Sequence, residues 1–206
     1  MGEGWVGVNG IGIQICQSPI ENMNDIISFE TNRLIIRDLN WDDLEFIHSI
    51  HSIPEVHKYA TLDIPESLND SKNYLEIYIN QQDYNPRKEY GFCVSLIDQT
   101  PIGLIGFSNS LNKFRSAELW FKLNPAYWGN GYITEAALRL LEFCFTEMDL
   151  HRIEAGVATE NLASIKTLEK IGMQREGMRR KILPIKGQWR NNFHYAILDE
   201  DFKCKK

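Results

Sequence analysis

The chain has 206 residues, 43% of them apolar and 24% charged, which suits one folded domain with a real core and excludes a disordered or collagen-like polymer. Lys and Arg number 22 against 28 Asp and Glu, a net charge of −6, so no global positive field holds duplex nucleic acid and a basic partner suits the chain better. No apolar run reaches the roughly 18 residues of a membrane span, and Cys16, Cys93, Cys144 and Cys204 form no CxxC pair, so reduced thiols, a cytoplasmic location and no metal are expected.

Residues 1–28 are Gly-rich and apolar, with Gly2, Gly4, Gly7, Gly10 and Gly12 among Trp5, Val6, Val8, Ile11 and Ile13. They read as an arm, free or added as a strand to an edge or a partner, ahead of a domain over 29–206. Residues 31–39 alternate β-branched and aliphatic side chains and read as a strand. Asn40 is an N-cap candidate with Asp42 and Asp43 in the first turn, and Leu44, Ile47, His48 and His51 recur at helical spacing until Pro54. Ser67 with Asp70 forms a capping-box pair, and Leu75, Tyr78, Ile79 and Gln82 mark a second amphipathic helix ending before Pro86.

The period then falls from about 3.6 to 2, giving strands over 90–97, 102–108 and 117–123 joined by short turns, an antiparallel meander. Ile133, Ala136, Ala137, Leu140, Leu141 and Cys144 fall on one helical face. A strand over Arg152–Ala158, a short helix over 164–171 stopped by Gly172, and a last strand over 189–198 follow. The order β-α-α-β-β-β-α-β-α-β-β predicts an α+β fold with a mixed sheet.

Between the 117–123 strand and the long helix lies Asn124-Pro125-Ala126-Tyr127-Trp128-Gly129-Asn130-Gly131-Tyr132-Ile133-Thr134-Glu135. Two glycines opening a helix let backbone approach a ligand, and the unpaired first-turn N–H groups favour a phosphate, although the same glycines could simply shape a turn. A phosphate loop of the Gly-Lys-Ser/Thr type is absent, and the dinucleotide pattern GxGxxG would put Thr134 at its third small position after a meander.

Trp128-Gly129-Asn130-Gly131-Tyr132-Ile133 resembles the acetyl-CoA pyrophosphate motif of the GNAT superfamily of N-acyltransferases, Gln/Arg-x-x-Gly-x-Gly/Ala. Residues 150–155 (LHRIEA), 160–177 (ENLASIKTLEKIGMQREG) and 29–37 (FETNRLIIR) are similar to the RimJ/RimL branch, the ribosomal-protein N-terminal acetyltransferases, so the likeness covers about 29–202. In this chain Trp128 takes the Gln/Arg position, Ile133 stands where Gly or Ala is usual, Met173 replaces a Phe, and Asn191 replaces a frequent Asp.

The resemblance implies a GNAT-like, mostly antiparallel central sheet flanked by helices. It also implies acetyl-CoA as cosubstrate and direct attack of an acceptor amine on the thioester. The acceptor it implies is a protein N-terminal α-amine such as that of a ribosomal protein, with a small-molecule amine (polyamine or amine antibiotic) as the alternative and a non-catalytic CoA-binding module as the reading of another class. Backbone N–H groups of Trp120, Phe121, Lys122 and Leu123 would face the oxyanion, and Trp128, Gly129, Asn130, Gly131, Tyr132, Ile133 and Thr134 would hold the pyrophosphate. Asn161 would bind the pantetheine arm. Glu118 is the carboxylate chosen as base, with an ion-pair role as the bland alternative. The usual leaving-group Tyr is replaced by Leu168, and Ser164 is the hydroxyl that could protonate the thiolate, or else cap its helix. His48, His51 and His57 read as helix and loop residues rather than metal ligands. Arg175, Arg179, Arg180 and Lys181 read as a solvated stretch between strands. The arm and an edge strand suggest a homodimer.

Overall fold

The structure, a computed structural model, describes residues 26–110 and 113–203, so residues 1–25 of the expected arm, Cys16 and Cys204 lie outside it. The element order is β1 (Ser28–Glu30), β2 (Leu34–Asp38), α1 (Leu44–His51), α2 (Leu68–Ile79), β3 (Glu89–Leu96), β4 (Pro101–Asn109), β5 (Ser116–Leu123), α3 (Tyr132–Thr146), β6 (Arg152–Ala158), α4 (Leu162–Lys170), β7 (Gln174–Ile185), β8 (Gln188–Leu198) and α5 (Asp199–Lys203). The strands form one sheet in the order β1-β2-β3-β4-β5-β6-β8-β7, antiparallel throughout except at β5–β6. This is the mixed α+β architecture expected from the sequence.

Alternation along the strands sends successive side chains to two apolar layers. Phe92 and Val94 of β3, Ile105 and Phe107 of β4, Ala117 and Leu119 of β5, and Ile153, Ala155 and Val157 of β6 pack with Ala136, Leu140, Leu141 and Cys144 of α3. Cys93, Leu104 and Trp120, on the other face, meet Ile47 and Ile50 of α1 and Leu75 and Tyr78 of α2. A Cβ on Gly106 would stand 2.5 Å from Trp120 Cζ2, so the missing side chain lets the indole lie flat across β4.

The predicted 31–39 strand is shorter, Leu34–Asp38, and a further strand, Ser28–Glu30, precedes it. Thr31 accepts from Leu34 N–H through its hydroxyl (3.0 Å) and donates its own N–H to Leu34 O (2.9 Å), turning the chain between β1 and β2. Asn40 caps a short 3-10 turn ahead of α1, with Asp43 completing the capping box and receiving Arg37 in two contacts of 2.7 and 2.8 Å. The Ser67–Asp70 capping box forms as predicted. Helix α2 stops at Ile79, short of the predicted Gln82, whose side-chain amide instead donates to Leu39 O at 2.7 Å. The basic run is a correction: Arg175, Arg179, Arg180 and Lys181 belong to β7, an exposed edge strand paired with β8. Charged side chains on such an edge oppose uncontrolled strand pairing.

Candidate active site

The one parallel pairing decides where a ligand can enter. Strands β5 and β6 pair only at Ser116–Arg152, Ala117–Ile153 and Glu118–Glu154, and then diverge towards their C-terminal ends. Ser116 O accepts from Ser110 N–H and Asn124 N–H donates to Ile102 O, so even-numbered residues of β5 aim their backbone groups at β4. Odd-numbered Leu119, Phe121 and Leu123 therefore aim theirs into the gap. Leu119 N–H is spent on Glu154 in the last step of the parallel ladder and Trp128 Nε1–H takes only the Leu123 carbonyl (2.8 Å), which leaves the N–H groups of Phe121 and Leu123 as the donors facing the gap; Trp120 and Lys122, expected beside them, turn theirs to β4 instead.

At the open end, the turn after β5 is built locally. Asn124 accepts from Ala126 N–H (3.1 Å) around Pro125, and Asn130 Nδ2 donates to the carbonyls of Tyr127 and Trp128 at 3.2 and 3.1 Å. Gly129 (φ 79°) and Gly131 (φ 78°) occupy the left-handed region, where a side chain is strained, and a Cβ at Gly129 would meet nothing within 4 Å. Gly131 is the N-cap of α3 and offers no side-chain cap, so the N–H groups of Tyr132, Ile133 and Thr134 open the helix without capping from that residue. Ile133 departs from the family motif without filling this cradle, because its side chain is buried in the α3 layer. Thr134 is half-buried in the first turn. The oxygens and amides here fit a pyrophosphate: backbone N–H groups, a helix N-terminus and no Cβ at two positions.

Arg33 is the residue that sequence reasoning missed. Its guanidinium donates to Asn130 O at 3.1 Å, lies 4.6 Å from the centre of the Tyr132 ring, and pairs with Glu135 at 2.6 Å. Thr31 Oγ1 binds the same Glu135 at 2.6 Å, so the one acidic side chain in the first turn of α3 is held against β2. The signal that could have found Arg33 is charge complementarity with Glu135, at a sequence distance of 102 that no local pattern reaches.

The start of α4 sits at the C-terminal end of β6, across the gap. Asn161 is its N-cap, with Oδ1 accepting from Ser164 N–H at 3.2 Å. Capping thus falls to Asn161, and the expectation that Ser164 might cap its own helix is corrected. The Ser164 hydroxyl is half-buried, and Leu168 points into the core. At the closed end, Glu118 is exposed and stands beside Glu154, which is held by Arg152 Nε at 2.6 Å. Asn191, on β8, accepts from Lys181 N–H at 3.0 Å and so shapes the irregularity in β7. An open hollow of about 640 Å³ between Glu160 and the β7–β8 hairpin includes it.

On the α1–α2 face, Trp120 and Lys122 follow Glu118 along β5. Lys122 Nζ lies 2.8 Å from His51 Nε2 and 5.1 Å from the Tyr74 ring centre. Burial lowers Lys122 to about 8, and burial together with the Lys122 charge lowers His51 to about 3. His48 Nδ1 contacts Ser71 Oγ at 2.9 Å. Among the described residues no group of His, Cys, Asp and Glu is arranged to hold a metal, and no helix is long and apolar enough to cross a membrane.

The family described as Acetyltransferase (GNAT) domain matches residues 33–174. YnaD of Bacillus subtilis, an uncharacterized N-acetyltransferase, is 35% identical over 173 residues, which is 84% of this chain and 97% of its own. A GNAT-family acetyltransferase structure from Bacillus anthracis superposes with a TM-score of 0.73 at 33% identity, covering 84% of this chain and 99% of that one. A spermidine N-acetyltransferase from Vibrio cholerae, solved with CoA and spermine, gives 0.74 at 27% identity over 84% and 99%. A diverging parallel strand pair, a glycine-opened helix across its mouth and these relatives agree: the chain belongs to the GNAT acetyltransferase family and is an acetyl-CoA-dependent N-acetyltransferase.

Proposed function

We propose that the acceptor is a small primary amine, acetylated by direct attack in a ternary complex. The observation that carries this is the exposed carboxylate of Glu118, beside the Arg152-paired Glu154 where β5 and β6 begin to part, a setting that attracts an ammonium. The spermidine acetyltransferase relative, with spermine bound in its structure, adds support. The finer alternative, a ribosomal-protein α-amine of the RimJ/RimL type, rests on the motifs of residues 29–37, 150–155 and 160–177.

In the proposed reaction the pyrophosphate lies on the first turn of α3, with Trp128, Asn130 and the two glycines around it, and the pantetheine arm runs past the Asn161 amide towards Glu118. Glu118, or a water it holds, removes a proton from the acceptor ammonium. The freed nitrogen attacks the thioester carbon, and the oxyanion meets the Phe121 and Leu123 N–H groups. As the intermediate collapses the C–S bond breaks, Ser164 gives its proton to the departing thiolate, and the second proton shed by the new amide nitrogen passes through water to restore the serine. A homodimer through an edge strand, checked by light scattering, completes this reading.

The test is a screen by thiol release and product mass, with spermidine, simple diamines, amino acids and Ser- or Ala-initiated peptides. Acetylated small amines are expected. Turnover of the peptides alone would transfer the enzyme to the protein-N-terminal class, and acetyl-CoA binding with no acetylated product anywhere would favour the non-catalytic module.

A further inference from the structure

The interior between α1, α2 and β5 holds a cation that nothing compensates. Lys122 shares a face with Glu118 and Trp120, and its nearest polar partner is His51 Nε2, which is neutral and accepts from the ammonium. Among the described residues no carboxylate pairs with Lys122, and desolvation is the one cause of its shift. Taking a charge out of water without a counter-ion is unfavourable, and an anion arriving beside Lys122 would relieve that penalty.

His57, on the segment joining α1 to α2, supplies a second unmet group. It is 3% exposed, its ring centre lies 5.8 Å from that of His51, and its Nδ1 lies 3.1 Å from Leu62 O. A carbonyl only accepts, so Nδ1 carries the hydrogen and Nε2 presents a lone pair. That Nε2 is buried with no partner. The charges facing His57 are Lys122 from β5 and Lys186 from the β7–β8 turn, against Asp63 on its own segment. The field at His57 is thus positive, set by the two lysines and only partly offset by Asp63. Residues Trp120 and Lys122 are separated along the strand by about 7 Å, and their neighbour Phe121 faces the gap where transfer is proposed.

We infer that this cluster is an acceptor subsite for a carboxylate, received by Lys122 in a field to which Lys186 adds, while His57 Nε2 accepts an N–H of the same molecule. The acceptor is then an amine bearing a carboxylate, of the amino-acid class, rather than a polyamine. This rests on the small-amine reading above and narrows it.

The test compares amino acids with their carboxamides and their decarboxylated amines, lysine with lysinamide and cadaverine among them, in the full-length enzyme. The acids are expected to exceed the decarboxylated amines in kcat/KM by about tenfold or more, mainly through KM. Lys122→Met should collapse that ratio to within about threefold, as expected when one partner of a desolvated charge contact is removed. Lys186→Gln, at an exposed turn, gives the same direction with less effect and stands in if Lys122→Met fails to fold. Preference for the decarboxylated amines, or a ratio that neither variant moves, overturns the subsite and leaves the small-amine reading intact. Acetyl-CoA binding without acetylation of any of the three series overturns both.

Discussion

Single residues of the site divide between those whose side chains do the work and those that contribute backbone. At Gly131, φ of 78° and the absence of a Cβ both matter. Gly131→Asp introduces strain and a carboxylate at the phosphate end, and should weaken acetyl-CoA binding at least about tenfold in calorimetry with an unchanged far-UV spectrum. Glu118 is judged by chemistry: Glu118→Gln should lower kcat by about a hundredfold with acetyl-CoA binding unchanged in calorimetry. An unchanged kcat would leave Glu118 as a surface carboxylate. For His51, the ordinary value of 6.5 falls to about 3 on folding, with Lys122, His57, His48 and Tyr74 around it. Between those two pH values the unfolded chain binds a proton that the folded chain does not. Stability should therefore decline by about 1.4 kcal/mol per pH unit as the pH drops through that window. Urea denaturation at several pH values checks this, with a flatter curve expected for His51→Asn.

The elements show how local rules place these residues. Helix α3 was legible because its apolar face repeats at helical spacing, and that same periodicity explains Ile133: it lies on the buried face, so the motif departure leaves the phosphate end open. The Ser67–Asp70 box was equally legible, since both bonds of the motif lie within four residues, and Ser67→Ala should cost about 1 kcal/mol in unfolding experiments. Strand β7 was not legible. Its pattern of charge without apolar alternation arises because an exposed edge strand buries little on either face, while its ladder is supplied entirely by β8. Gly106 acts between elements, and Gly106→Ala should cost about 2 kcal/mol, because its Cβ would overlap the Tyr90 carbonyl of β3 as well as press against Trp120, read as a lower urea midpoint with unchanged slope.

Across the whole molecule, the sequence by itself determined the fold class and, through its likeness to a family, acetyl-CoA-dependent N-acetyl transfer. The first rests on hydrophobic period and the second on contiguous motifs, both carried by residues close together in the chain. Tertiary structure alone decided which backbone groups face the gap, because that depends on β5 pairing with β4 along its length and with β6 for only three residues. It likewise decided that Arg33 braces the loop from the turn between β1 and β2, and that His51, His57 and Lys122 meet in one interior, the members of the His51–Lys122 contact standing 71 positions apart. Such groupings follow from sheet order and helix packing, which sum weak contributions over the entire chain, so no local window of sequence contains them.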